Sequence, residues 1–456
     1  MLNSKKLKGA IVLMLCFVTI VISAQPKINS PYSRFGIGDV NDRNFIHSQS
    51  MGSLGASSIH PQFINIVNPA ALASLEATSF DIGLSAENSG LRDLGDTEYQ
   101  DIWSGNLMNL SLAVPLQNKL NDLLDRKKRD ITATTAFSLL PLSTVGYDIT
   151  SIDSTNTDIG TISRNFNGDG GIFQFTWSNA VKYKNLSFGV NLSYLFGEIE
   201  NFNELSIDDN FASFVTSTEN KSSINGFQYN LGVIYNHYFN LNEFKEQKTS
   251  TLKHIAIGLY GNPNTNLTST ESELNVSRQF FLGTTEIVAE DTLSIITNQN
   301  FDGTLPSEIG FGATYYHGET FSIGVDYART NWSQFEANFV NNNLKSTNKL
   351  SIGGFYRPNY KSITNYFSRV YYRFGFQYRQ VPTEVLPENF GEDVEEVSFQ
   401  FGLGLPFFYQ RKISHANLGV SAGYLGRGTA IEERFVKLTF SFTFNDDEWL
   451  VKRKYN

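Results

Sequence analysis

An apolar side chain recurs at every second position in fourteen runs along this 456-residue chain. The runs are 80–86, 108–116, 131–149, 172–183, 186–196, 226–238, 252–260, 308–316, 321–329, 349–357, 370–380, 397–405, 416–424 and 435–444. In the last, FVKLTFSFTF, Val436, Leu438, Phe440, Phe442 and Phe444 share one face, while Lys437, Thr439, Ser441 and Thr443 share the other. Period two marks a β-strand with one greasy and one polar side. The fold class is therefore all-β, and the question is whether the greasy faces meet a protein core or lipid.

A soluble β-sandwich shows the same alternation. The connections separate the two cases. Those after runs 4 and 8 are only KN (184–185) and HGET (317–320), and 117–130 and 239–251 lie on the same side. The opposite set is mostly longer: 87–107, 150–171, 197–225, 261–307, 330–348, 381–396 and 425–434. An even number of strands, with shorter turns at one end and longer loops at the other, is the pattern of an outer-membrane barrel. Ten residues at about 3.4 Å each, tilted by about 40°, rise roughly 26 Å, close to the apolar band of about 25 Å in such barrels. Tyr183, Tyr238, Tyr260, Tyr315 and Tyr424 sit at run ends, where aromatic girdles belong. The reading is a 14-stranded antiparallel transmembrane β-barrel over 78–445, in the outer membrane. Its lipid and lipopolysaccharide are the expected surroundings.

Lys5, Lys6 and Lys8, the apolar stretch GAIVLMLCFVTIVISA and the small Ser23 and Ala24 read as a secretory signal over 1–24. The only cysteine, Cys16, lies within it, so the mature chain has no disulfide or catalytic thiol. Without those three lysines, 33 basic residues face 45 acidic ones, which argues against a nucleic-acid partner. No later stretch is long and apolar enough for a transmembrane helix.

Residues 25–77 do not alternate and are rich in Gly, Ser, Asn and Pro. They are enough to fill a barrel lumen. Met51-Gly52-Ser53-Leu54-Gly55-Ala56 followed by Asn68-Pro69-Ala70-Ala71-Leu72 resembles the N-terminal hatch of FadL-type outer-membrane transport barrels. Leu305-Pro306, YARTNWSQF (327–335) and YYRFGFQYRQVP (371–382) follow in the family's order. The ending GRGTAIEERFVKLTFSFTFNDDEWLVKRKYN is similar to the Bacteroidota branch. The resemblance covers most of 31–456 and implies fourteen strands with an N-terminal hatch in the lumen. It makes Asn68, Pro69, Ala70, Gly52 and Gly55 the hatch and gating candidates. It further implies passive uptake of hydrophobic small molecules such as long-chain fatty acids, which leave sideways through a kinked third strand. Pro141 in FSLLPLSTVGY, with Gly146 after it, gives that strand a reason to break, because proline has no ladder N–H. In Bacteroidota the family also includes non-transporting subunits of secretion and outer-membrane assembly complexes. Other outer-membrane or periplasmic proteins are therefore a second class of partner.

Nothing in the sequence points to an enzyme. The six histidines are not spaced as metal ligands, and no nucleophile elbow or phosphate-binding loop occurs. No cofactor or metal is expected. Asp326, Arg373, Arg379 and Lys437 fall on polar faces and should point into the lumen, where they line a wet wall, tie down the hatch or meet a cargo carboxylate. The acidic stretch within 384–396 reads as a solvated outward loop, NKLNDLLDRKKRD (118–130) as a short periplasmic helix, and 446–456 as a periplasmic tail.

Single cysteines placed along 435–444 test the facing. In vesicles the even positions should resist a water-soluble thiol reagent and react with a lipid-soluble one. Equal labelling of both faces by the water-soluble reagent would refute the barrel.

Overall fold

The structure, a computed structural model, describes residues 30–449 except 94–98, 119–120, 123–129, 154–160, 209–211, 250, 282–286, 339–343, 383–393, 410–411 and 430. The signal region, most of 118–130, most of the acidic loop and the end of the tail lie outside the described residues.

The chain forms a closed antiparallel barrel of fourteen strands. They are β1 (Thr78–Asp93), β2 (Tyr99–Pro115), β3 (Ile131–Asp153), β4 (Thr161–Tyr183), β5 (Leu186–Asp208), β6 (Ala212–Tyr238), β7 (Lys253–Asn262, continuing as Thr265–Phe281) and β8 (Ile287–Leu305, continuing as Glu308–His317). Then come β9 (Phe321–Thr330), β10 (Thr347–Tyr356), β11 (Tyr371–Gln380), β12 (Glu395–Tyr409), β13 (Lys412–Leu425) and β14 (Ile431–Asp446). The jogs in β7 and β8 fall at Pro263 and Pro306, where a ladder donor is missing. The seam joins β14 to β1, from Asp446 opposite Thr78 to Ile431 opposite Asp93.

Every alternating run lies in a strand, but most strands extend past the apolar run at the loop end. Where both faces meet water, nothing selects apolar residues at every second position, so the extensions carry no periodic signal. The region 261–307, expected to be a loop, is mostly strand. The result is a lopsided wall, tall along β3–β8 and only ten residues per strand at β9, β10 and β11.

On β14, Val436 and Leu438 are exposed outward, whereas Thr439, Ser441, Thr443 and Asn445 are buried inward. The inward face is small and polar along much of the wall, as with Thr176, Ser178 and Ala180 on β4. The expectation of a wet lumen wall fails at this level: Ser441 accepts a hydrogen bond from Asn417 and is inaccessible. The N-terminal segment is the reason. Residues 30–77 pack against the inner faces of the strands, with Phe45, Ile64, Ile66 and Leu72 against Ala113, Ala136, Leu140 and Ala180. Met51, Leu54 and Phe63 pack against Ile234, Ala256, Phe355 and Tyr371. Each large apolar side chain buried this way contributes about 1.5–3 kcal/mol. Above them, Trp332, Phe335 and Leu344 from the β9–β10 connection fold into the mouth onto Ile37, Val145, Ile172 and Leu195.

Phe440 sits midway along the outward band of β14. Phe440→Lys should lower stability in lipid vesicles by about 2–4 kcal/mol, measured by denaturant titration with Phe440→Ala as the control for lost side-chain volume. A loss no larger than that of the alanine variant would mean the face is not in lipid.

Candidate functional site

The interior is built from contacts between residues 30–77 and the wall. Pro69 restricts the residue before it, and Asn68 is extended (φ −106°, ψ 104°), capping the 3-10 helix Pro69–Ser74. Its Oδ1 accepts from Ala70 N at 3.1 Å. Its Nδ2 donates to Ala56 O at 2.6 Å and reaches the carbonyls of Val233 and Leu259 at 3.3 Å. One asparagine thus ties two parts of the segment to β6 and β7. Asn191 on β5 and Asn230 on β6 add donors to the carbonyls of Ile66 (2.7 Å) and Val67 (3.3 Å).

The wall makes room by omitting side chains. A Cβ on Gly232 would run into the Asn68 amide, and one on Gly375 into the backbone of Gly52. Gly52 itself has φ +71°, and a Cβ there would strike the carbonyls of Ile352 and Phe376. Gly55 lies against Val67. Of the hatch candidates, Asn68, Pro69, Ala70 and Gly52 are thus brought close to the wall, whereas Gly55 packs against Val67 within the segment.

Charges complete the attachment. The Asp326 carboxylate accepts the N–H groups of Gly55 and Ala56, both at 2.7 Å. Arg379 pairs with Glu396 at 2.5 Å and Asp39 at 3.3 Å, and donates to Val40 O at 3.0 Å. Arg43 pairs with Glu308 at 2.5 Å and Lys349 with Asp42 at 2.8 Å. Burial would raise the Asp42 carboxyl; the Lys349 charge and hydrogen bond, together with hydrogen bonds from Ser53 and Asn44, outweigh it and hold the group below its usual range. Lys437 pairs instead with Glu87 on β1, at 3.2 Å. Arg373 donates to Asn417 at 2.8 Å and lies over the rings of Phe63 and Tyr371. Sequence reasoning missed Asp42, Arg43, Lys349 and Glu308, since their pairing appears only when the fold brings distant positions together.

A cavity of about 240 Å³ remains between the segment and the inner wall, reaching from β6 through β14 to β1. Asp39, Asp42, Glu87, Arg379, Glu433 and Lys437 line it together with Ile37, Val67, Met108, Leu142, Leu305 and Trp332, so charged and apolar side chains share its surface. Among the described residues no group of His, Cys, Asp and Glu is arranged to hold a metal.

Among the described residues, the pairing between β2 and β3 is broken off part-way. β2 pairs with β3 only from Leu110 opposite Leu139 to Pro115 opposite Thr134. Above that level no described strand pairs with β2 on this edge. β3 shifts register against β4 between Pro141 and Ser143, leaving Leu142 as a bulge. The edge of β3 turns to the N-terminal segment: Asp39 and Val40 pair with Thr144 and Ser143. Ser30 N donates to Gly146 O at 2.9 Å, and Gly146 N donates to Ser33 Oγ at 3.1 Å. Pro141 and Gly146 therefore flank the point where β3 leaves its neighbour and binds the segment.

His47 and His60 sit in a layer with Phe63, Tyr371 and His415. Burial, then the nearby Arg373 guanidinium and His415 ring, pushes His47 well below the ordinary 6.5; burial, then His415 and His47, does the same to His60. A histidine lowered on folding stabilises fully above its unfolded value and loses that contribution as pH falls below about 6.5. Hydrogen-exchange protection across 45–64 should therefore decline from pH 7 to pH 5 while the β1–β14 seam stays protected. Unchanged protection would show that these rings do not resist protonation.

No curated protein matches this chain. Solved structures do. The CymD monoaromatic hydrocarbon channel superposes with a TM-score of 0.51 at 15% identity, over 90% of this chain and 98% of that one. The TodX deltaS2S3 mutant monoaromatic hydrocarbon channel gives 0.51 at 13%, over 88% and 99%. A Pseudomonas aeruginosa FadL homologue gives 0.50 at 11%, over 91% and 99%. At these identities the likeness concerns the fold. A family model described as BamG matches residues 5–456.

Proposed function

Because the chain belongs to the BamG family, we propose that it is a non-transporting outer-membrane barrel, a subunit of a protein secretion or assembly complex in the Bacteroidota branch. The observation that carries this reading is the occupied lumen. Residues 30–77 act as a hatch that is bonded to the wall by backbone, amide and ion-pair contacts, not a loosely seated plug. At the mouth, Trp332, Phe335 and Leu344 pack inward onto Ile37, Val145, Ile172 and Leu195. Part of the remaining cavity's lining is charged, with Asp39, Asp42, Lys349 and Arg379 held in ion pairs there, and a hydrophobic cargo would have to desolvate that part. On this reading the lumen charges Asp326 and Arg379 hold the hatch, and the protein is not an enzyme.

The second reading is passive uptake of hydrophobic small molecules through the side of the wall. The break between β2 and β3 at Pro141 favours it, as does a fold shared with the CymD hydrocarbon channel and the P. aeruginosa FadL homologue. Lipopolysaccharide and lipid would then surround the exit.

Uptake of a hydrophobic fluorescent tracer into proteoliposomes decides between them. The expected result is a rate equal to that of empty vesicles, unchanged by Pro141→Val, together with gentle co-purification of another outer-membrane protein at fixed stoichiometry. A rate well above empty vesicles that falls in Pro141→Val would overturn the subunit reading in favour of transport.

A further inference from the structure

The connection between β10 and β11, residues 357–370, lies at the turn end of the barrel and differs from its neighbours. It is an ordered loop with a closed neck: Asn359 N donates to Ser368 O at 2.8 Å, and the 3-10 helix Phe367–Arg369 ends it. Inside it, Lys361 N bonds Asn359 Oδ1 and Asn365 N bonds Ser362 Oγ, each at 3.1 Å. Yet this built loop points its greasy side chains outward. Ile363 is 93% exposed and Phe367 69%, with Tyr366 beside them. Its charge is all of one sign, because 356–371 contains Arg357, Lys361 and Arg369 and no Asp or Glu. Arg357 is committed inward, to Glu319 at 3.0 Å and the Tyr371 hydroxyl at 2.8 Å. Lys361 lies 5.2 Å from the Tyr360 ring centre and Arg369 5.4 Å from that of Tyr366.

The position of the loop identifies what covers it. Tyr372 follows the inward-facing Tyr371 on β11, so it faces outward, and its hydroxyl donates to Phe367 O at 3.2 Å. The loop is thereby held against the outer perimeter, next to Tyr356, the exposed aromatic that ends the neighbouring β10. Apolar tips, aromatic rings and cations on flexible stems, continuous with the lipid-facing belt, are the components of a bilayer-interface anchor. We propose that the loop 357–370 inserts Ile363 and Phe367 into the inner leaflet of the outer membrane and binds anionic phospholipid headgroups through Lys361 and Arg369. The proposal rests on the membrane placement above but not on the choice between subunit and transporter.

An environment-sensitive fluorophore on Ile363→Cys, in the full chain reconstituted into vesicles, tests it. Leu438→Cys reports the lipid-facing wall and Asn242→Cys the aqueous turn end. With phosphatidylcholine and phosphatidylglycerol mixed, the Ile363 label should be blue-shifted and quenched by spin-labelled lipid. The ratio of lipid-exposed to water-exposed label should fall in phosphatidylcholine alone, by about fivefold per cation. Lys361→Gln with Arg369→Gln should abolish the difference between the two vesicles, as should high salt. A label at 363 as aqueous as that at 242, while 438 reads lipid, overturns the proposal and leaves the knob to a protein partner. Equal signals in both vesicles overturn the headgroup recognition. An aqueous label at 438 defeats the membrane placement itself.

Discussion

A closed sheet of fourteen strands encloses more space than its own inward side chains can fill. In an eight-stranded barrel the side chains meet in the middle; in a porin, water takes the space. Here many inward wall residues are small, as at Ala113, Ala136 and Ala180, and the first described stretch of the chain is packed into the gap. Much else follows from that choice. Gly232 and Gly375 lack side chains because another backbone lies where a Cβ would be. Asn191 and Asn230 face inward because the carbonyls of a non-regular segment need donors once water is excluded.

The ion pairs need the same frame. Burying Arg43, Lys349 and Arg379 costs hydration that a single contact barely returns, so their net stabilisation is modest. What they do well is select a position. A segment shifted by a few residues would leave Glu308, Asp42 and Asp39 without their cations in a low-dielectric interior. The hydrophobic clusters supply adhesion, and the charges supply register.

The outward half of the fold is legible in the sequence because its apolar side chains recur at every second residue, seen in the exposed Val436 and Leu438. The count of fourteen strands followed from that rule. The tall extensions of β3–β8 are not legible, since an aqueous sheet with two wet faces imposes no such alternation. The lumen is legible only in part. Asn68 announces itself through the proline after it, whereas Asp42 and Lys349 look like any surface charges until the fold places them together. The polar face of FVKLTFSFTF does not by itself tell a wet channel from a hydrogen-bonded core, and Ser441 lies in the latter. Pro141 marks the disturbed strand, but the partner that β3 acquires there, Asp39 and Val40, leaves no periodic trace in two residues.

The path of the N-terminal segment sets an order of assembly. Ser30 bonds Glu433 and Tyr32 meets Thr429 at the loop end, while Ser79 reaches Gln62 at the turn end, where β1 begins. The segment thus runs the length of the tube whose first strand it leads into. Threading it through a finished tube would drag buried apolar and charged side chains past one another in a passage with no spare width. Wrapping avoids this: the growing sheet curves around a segment already lying against it, and the β1–β14 seam, which joins the two ends of the barrel sequence, zips last. In such a barrel the N-terminal segment is the mandrel on which the wall is rolled, and a chain lacking it would have to find its curvature unaided.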